Sequence, residues 1–139
     1  MIETVVAEAR VPAGVQQAFK FLAVGVLNTA LDVGLYFAFT HWLGVWGVWK
    51  VTAKAVSYGV GVLNSFAWNR SWTFRSEASA MSTLAPFVLV NLMALGINAG
   101  AMHVCLGVFS LPELLSLALA TGVGFLWNFT ISKFFIFKK

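Results

Sequence analysis

The sequence predicts an all-α integral membrane protein in which four transmembrane helices form two parallel-repeated hairpins. Three observations carry that prediction. Sixty percent of the residues are hydrophobic and only ten percent are charged, far from the balance of a soluble domain. Four apolar windows, 19–42, 46–68, 84–107 and 114–135, are each long enough to cross a ~30 Å hydrocarbon core as a helix of about 20 residues. The ending "NSFAWNRSWTFRSE" recurs as "WNFTISKFFIFKK", with Phe66, Arg70, Trp72, Phe74 and Arg75 falling on Phe129, Lys133, Phe135, Phe137 and Lys138.

Residues 1–18 are expected to form a cytoplasmic N-terminal segment and residues 19–139 the four-helix domain. The first apolar window is too long for a signal-peptide core and no small-residue cleavage site follows it, so no cleavage is expected. If all four windows span, Arg10, Lys20, Arg70, Arg75, Lys133, Lys138 and Lys139 share one side, while the other side has only Lys50 near its first loop. The positive-inside rule then makes both termini cytoplasmic. Each repeated ending marks an even-numbered helix reaching that interface, where Trp and Phe sit at headgroup depth and Arg and Lys meet lipid phosphates. The halves also align earlier, Phe21 with Phe87, Val24 with Val90 and Asp32 with Asn98. Two spans per repeat keep both copies in one orientation, giving a duplication about an axis along the membrane normal. In the connections, "RSEASAMSTLAP" has the small polar residues of a linker and Pro86 suits the first turn of helix three. "SLPE" has the pattern of a capping box, with Ser110 at the N-cap, Pro112 just inside and Glu113 third.

At helical spacing the polar residues of each window fall on one face: Gly25, Asn28, Asp32 and Tyr36; Lys54, Ser57, Gly61 and Asn64; Asn91, Asn98 and Cys105; Thr121, Gly124 and Asn128. Small and polar residues serve close helix packing, and Gly96 and Gly100 make a GxxxG pair. Packing explains Asp32 and Lys54 less well, because ionisable groups at membrane depth are costly and point to function. At 1.5 Å per residue Asp32 lies roughly 20 Å up helix one and Lys54 roughly 12 Å down helix two, depths that agree in a ~30 Å core and would let adjacent antiparallel helices pair them. Pairing would offset part of their desolvation. Asn98 lies at a similar depth, completing a polar intramembrane layer of Asn28, Asp32, Lys54, Asn64, Asn98 and Asn128.

Other chemistries lack their residues. The net charge of +4 sits at window ends and not on one soluble face, which speaks for topology and against nucleic acid. Cys105 has no disulfide partner and no metal-ligand neighbour at useful spacing. His41 and His103 are isolated, and "GVGVLN" and "GVGFLW" lack a nucleotide-binding context. "NRS" at Asn69 and "NFT" at Asn128 match the glycosylation pattern, but this topology puts both at or below the cytoplasmic interface. We therefore expect no enzyme activity, no catalytic or metal-binding residue and no cofactor.

With "FLAVGVLNTALD" in helix one and "NSFAWNRSWTF" closing helix two, the chain resembles the GtrA family of small membrane proteins over residues 19 to 138. The most specific likeness is "NR.WTF", Asn69, Arg70, Trp72, Thr73 and Phe74. Its echo keeps Asn128, Phe129, Phe135 and Phe137 but has Ser132 and Lys133 where the first copy has Asn-Arg. The resemblance implies a flippase of the prokaryotic cytoplasmic membrane that moves a polyprenyl-phosphate-linked sugar to the outer leaflet for polysaccharide synthesis or glycosylation. Its interfacial headgroup site would then comprise Asn69, Arg70, Trp72, Phe74, Arg75 and Lys133, with Arg70 as phosphate donor. The polar layer would line the route, and the partners would be the lipid-linked sugar and membrane lipids. Four short helices enclose little space, so a homo-oligomer is a candidate assembly. Related domains are attached to polyprenyl-phosphate sugar synthases, which makes an accessory or anchoring subunit of a glycosyltransferase the alternative. A proton-coupled drug exporter is the third reading, and the basic endings fit it least.

Overall fold

The computed structural model describes residues 11–138. Arg10 and Lys139, counted above among the cytoplasmic charges, lie outside that range, as do residues 1–10 of the expected N-terminal segment. The described chain is helical, with no strand: α1 (Ala13–Phe37), α2 (Trp49–Trp68), α3 (Ala80–His103) and α4 (Glu113–Ile131).

Each helix is extended by one five-residue π-helical turn, Ala38–Trp42, Asn69–Thr73, Val104–Val108 and Ser132–Ile136. The same bond closes all four: Leu43 N–H donates to Ala38 O, Phe74 to Asn69 O, Phe109 to Val104 O and Phe137 to Ser132 O, at 2.8 to 3.2 Å. Each bond satisfies one of the terminal carbonyls that a helix end would otherwise leave without a partner. After three of the turns the chain reverses through a left-handed residue, Gly44 (φ 63), Arg75 (φ 50) or Ser110 (φ 50). Glycine takes that conformation freely, whereas Arg75 and Ser110 hold it against Cβ crowding.

Helix edges differ from the apolar windows where polar residues carry the helix onward. The α1 helix begins at Ala13, so Gln16 and Gln17 are helical. The α3 helix begins at Ala80, which moves Pro86 from the first turn into the second. The capping box does not form: Pro112 occupies the N-cap position of α4 without a side-chain hydrogen bond, and Ser110 is part of the preceding reversal. Among the described residues three helical stretches are long and apolar enough to cross a membrane, Ala13–Trp42, Ala80–Val108 and Glu113–Ile136. The α2 helix is the fourth but not the equal of these, because Lys50, Thr52, Lys54, Ser57, Asn64 and Ser65 dilute its apolar content.

The α2 helix lies against α1, and α4 against α3, each through a glycine. A Cβ on Gly61 would stand 3.5 Å from Asn28 O and 3.9 Å from Asp32 Cβ, and one on Gly124 would stand 3.9 Å from Ala94 O and Asn98 Cβ. Gly96 and Gly100 do not take the packing role expected of them. Both are exposed, and nothing lies within 4 Å of a Cβ added at either. The core is aromatic and sits where the two basic endings meet, around Phe21, Phe66, Phe74, Phe87 and Phe137. Phe74 and Phe137, equivalent residues of the two endings, stack at 5.4 Å, while Phe21 meets Phe125 and Phe129 at 5.7 and 5.6 Å. Each such pair contributes about 0.5–1.5 kcal/mol beyond area burial, and close packing of this kind is the main glue between helices in lipid.

Candidate functional site

The charged pair of the polar layer forms. Lys54 Nζ donates to Asp32 Oδ2 at 2.5 Å, and Ser57 Oγ, one helical turn along α2, donates to Asp32 Oδ1 at 2.6 Å. Both carboxylate oxygens are therefore satisfied. The Asp32 side chain is 16% exposed and that of Lys54 51%, so the carboxylate is held inside while the ammonium looks outward, 5.8 Å from the centre of the Tyr36 ring. One turn nearer the aromatic core, Asn64 Nδ2 donates to Asn28 Oδ1 at 2.7 Å. Both links tie α1 to α2 on either side of Gly61.

A crevice of about 190 Å³ opens between the hairpins. On the α1 side it is lined by Phe21, Gly25, Asn28, Thr29 and Asp32, and on the α2 side by Tyr58, Gly61, Val62 and Ser65. Asn91 from α3 and Asn128 from α4 face it from the other hairpin. From Phe21 to Asp32 it follows α1 for roughly 16 Å at 1.5 Å per residue, out of the aromatic core to the middle of the span. Asn91 gives its Nδ2 to Phe87 O at 2.9 Å, and Asn128 Oδ1 is buried without a hydrogen-bond partner. The only charge on the lining is Asp32, already neutralised by Lys54. What remains is a set of hydroxyls and amides suited to a neutral, hydroxyl-rich guest.

Of the expected polar layer, Asn28, Asp32 and Asn128 line this crevice. Lys54 and Asn64 support it from behind, and Asn98 packs against Gly124. Asn91 joins the lining from the expected polar face of helix three, while Thr29, Tyr58 and Ser65 belong to the lining but were outside the expected polar faces. Their signal in the sequence is adjacency, since each follows Asn28, Ser57 or Asn64 by one position and a helix face is wider than a single row.

The interfacial group is dispersed. Asn69 is buried, with Nδ2 bonded to Ser65 Oγ at 3.1 Å and Oδ1 unpartnered. Arg70 gives two of its five donors to the chain itself: Nε and Nη2 reach Ala78 O at 3.2 and 2.7 Å, fastening the linker after α2. One edge of the expected phosphate fork is thus a strut. Phe74, expected in the headgroup site, is 3% exposed and belongs to the core. The left-handed Arg75 is exposed, and Trp72 is partly exposed beneath Lys20 Nζ, which lies 5.2 Å from its ring centre. Lys133 lies over Phe129 and Phe134 at 5.5 and 5.2 Å.

Residues 20–137 match the family model described as GtrA/DPMS, transmembrane domain. Among similar proteins, the uncharacterized membrane protein YngA of Bacillus subtilis (strain 168) is 36% identical over 80 residues, which is 57% of this chain and 51% of YngA. The uncharacterized membrane protein YwcD of the same strain is 24% identical over 123 residues, 86% of this chain and 94% of YwcD. The match thus spans about half the length of the first relative and nearly all of the second.

Proposed function

The chain belongs to the GtrA/DPMS transmembrane-domain family, and from that premise we propose that it carries a polyprenyl-phosphate-linked sugar from the cytoplasmic to the outer leaflet of a prokaryotic cytoplasmic membrane. The observation that carries this reading is the neutral polar crevice at mid-depth, with its carboxylate paired and its amides turned inward. A sugar crossing lipid loses the hydrogen bonds of its hydroxyls, a loss of several kcal/mol per unsatisfied group in hydrocarbon. Asn28, Thr29, Tyr58, Ser65, Asn91 and Asn128 replace those bonds along the route, while the prenyl tail stays in lipid beside the crevice. The carrier is not an enzyme: it changes the leaflet of its substrate and no covalent bond.

In this reading all four helices span, both termini are cytoplasmic, and the hairpins are parallel copies about an axis along the membrane normal. The repeated burial of Gly61 and Gly124 supports the duplication. A second copy of the chain, or a glycosyltransferase that makes the lipid, would complete the shelter around the headgroup. The pairing of GtrA with DPMS in the family description favours one further reading, an accessory subunit of a polyprenyl-phosphate glycosyltransferase.

The experiment is transbilayer movement of a polyprenyl-phosphate sugar in proteoliposomes holding only this protein. Wild type should exceed empty liposomes, and Asn128→Leu, which removes the unpartnered acceptor from the crevice, should reduce the rate at unchanged protein stability. No movement by wild type, across several prenyl lengths and sugars, would leave the accessory-subunit reading.

A further inference from the structure

We propose that the lipid phosphate docks at the second basic ending, in a pocket built by Gln17, Lys133 and Lys138, and not at the arginine of the first. The duplication makes the comparison direct. In the first ending Arg70 is bonded to Ala78 O by two donors, so the linker carbonyl covers the Nε/Nη2 edge where an anion would bind side-on. In the second, Lys133 occupies the equivalent position with a different environment. Its ammonium lies over two aromatic faces and beside the first turn of α1, where a Cβ on Gly14 would be 2.9 Å from Nζ. Among the described residues no carboxylate pairs with Lys133 or Lys138, the one ion pair being that of Lys54 with Asp32. Ring faces attract a cation but accept none of its hydrogen bonds as strongly as an anion does, so Lys133 keeps donors to give.

The pocket at this place has a volume of about 280 Å³. Gln17 comes from α1, Phe74 from the end of α2, and Lys133, Phe134, Phe137 and Lys138 from the end of α4. Two ammonium groups and one amide suit the oxygens of a phosphate ester. The phenylalanine wall suits the first isoprene units of its tail, and the exposed Phe134 and Phe135 continue that wall toward lipid. The ligand class is therefore a phosphate ester with an unsaturated apolar tail. This rests on the carrier reading for the identity of the lipid, but it concerns equilibrium binding and needs no transport.

The test is titration of the full chain, in nanodiscs of neutral phosphatidylcholine, with farnesyl monophosphate, which has no sugar. Lys133→Gln with Lys138→Gln should weaken binding on the order of tenfold or more, the scale of lost charge-assisted hydrogen bonds. Gly14→Leu keeps both charges but displaces Lys133 and should weaken binding in the same direction. Lys50→Gln, which removes one charge at the opposite end, should leave it within about twofold, since screened charges beyond a Debye length of ~8 Å contribute little. Inorganic phosphate should compete poorly, and phosphatidylglycerol in the nanodisc should not substitute. Unchanged affinity in the double lysine variant at wild-type thermal stability overturns the proposal. So does equal competition by inorganic phosphate or phosphatidylglycerol, which would make the pocket a general anion surface. Farnesyl phosphate binding through these lysines without lipid movement would sink the carrier reading alone; movement with unaltered binding in the lysine variant would sink the docking site alone.

Discussion

Asp32 and Lys54 divide their exposure unequally, and that asymmetry fixes what their removal costs. Without Lys54, the interior carboxylate keeps only the Ser57 hydroxyl; without the Asp32 charge, the half-exposed ammonium can turn toward water or headgroups along its own stem. Lys54→Met should therefore lower the unfolding temperature in detergent more than Asp32→Asn. The double variant should recover much of the loss, with a coupling of about 0.5–3 kcal/mol as for other contacting polar pairs. Strictly additive single effects would show that the pair contributes no coupling. Their matching depth was legible in the sequence, but their contact was not, since it depends on how α1 and α2 are rotated against each other. Nor was the role of Arg70, since its bond to Ala78 depends on the path of the linker and on the left-handed turn at Arg75. Phe74 was misplaced for a related reason: the wide final turn of α2 carries an interfacial aromatic into the core.

Helix ends and helix contacts follow rules that a repeat makes visible. Ser110 matched an N-cap pattern, yet it holds φ 50 in the reversal before α4. The two placements predict opposite signs for one substitution. Ser110→Gly would cost a few tenths of a kcal/mol at an N-cap, whereas relief of a left-handed residue should stabilise by about 1 kcal/mol. We expect the unfolding temperature to rise; a fall would restore the cap. The glycines separate in the same way. Gly61 and Gly124 meet the neighbouring helix backbone, so Gly61→Val and Gly124→Val should each destabilise by about 1–3 kcal/mol through overpacking. Gly96→Val and Gly100→Val have open space in the single chain and should be near neutral in detergent monomers. If the latter pair destabilises only in lipid, a second copy packs there. The sequence located all four glycines on helices, but which of them meet a partner depends on helix rotation, and the apolar periodicity of α3 is too even to fix it.

For the whole molecule the open variable is orientation, and the charges give it a sign. Lys20, Arg70, Arg75, Lys133 and Lys138 lie at the end that holds the aromatic core, against Lys50 at the other, where Trp42, Trp46 and Trp49 are exposed. Along α1 and its terminal turn the distance from Lys20 to Trp42 is about 33 Å at 1.5 Å per residue, close to the ~30 Å hydrocarbon thickness. An anionic cytoplasmic leaflet favours each juxtamembrane cation by about 1 kcal/mol, so the imbalance outweighs thermal energy several times over. The prediction is that, with Cys105→Ser removing the one native thiol, Glu77→Cys reacts with a membrane-impermeant maleimide in inside-out vesicles and not in intact cells. Val48→Cys and Phe109→Cys, in the connections at the opposite end, should show the reverse. Labelling of Glu77→Cys from outside would invert the molecule and place the lysine pocket in the outer leaflet. Labelling from both sides would mean that two orientations coexist, and a pair of chains would then present one phosphate pocket to each leaflet. On the carrier reading proposed above, the single orientation expected here would put the pocket on the cytoplasmic side and leave the neutral crevice as the path away from it.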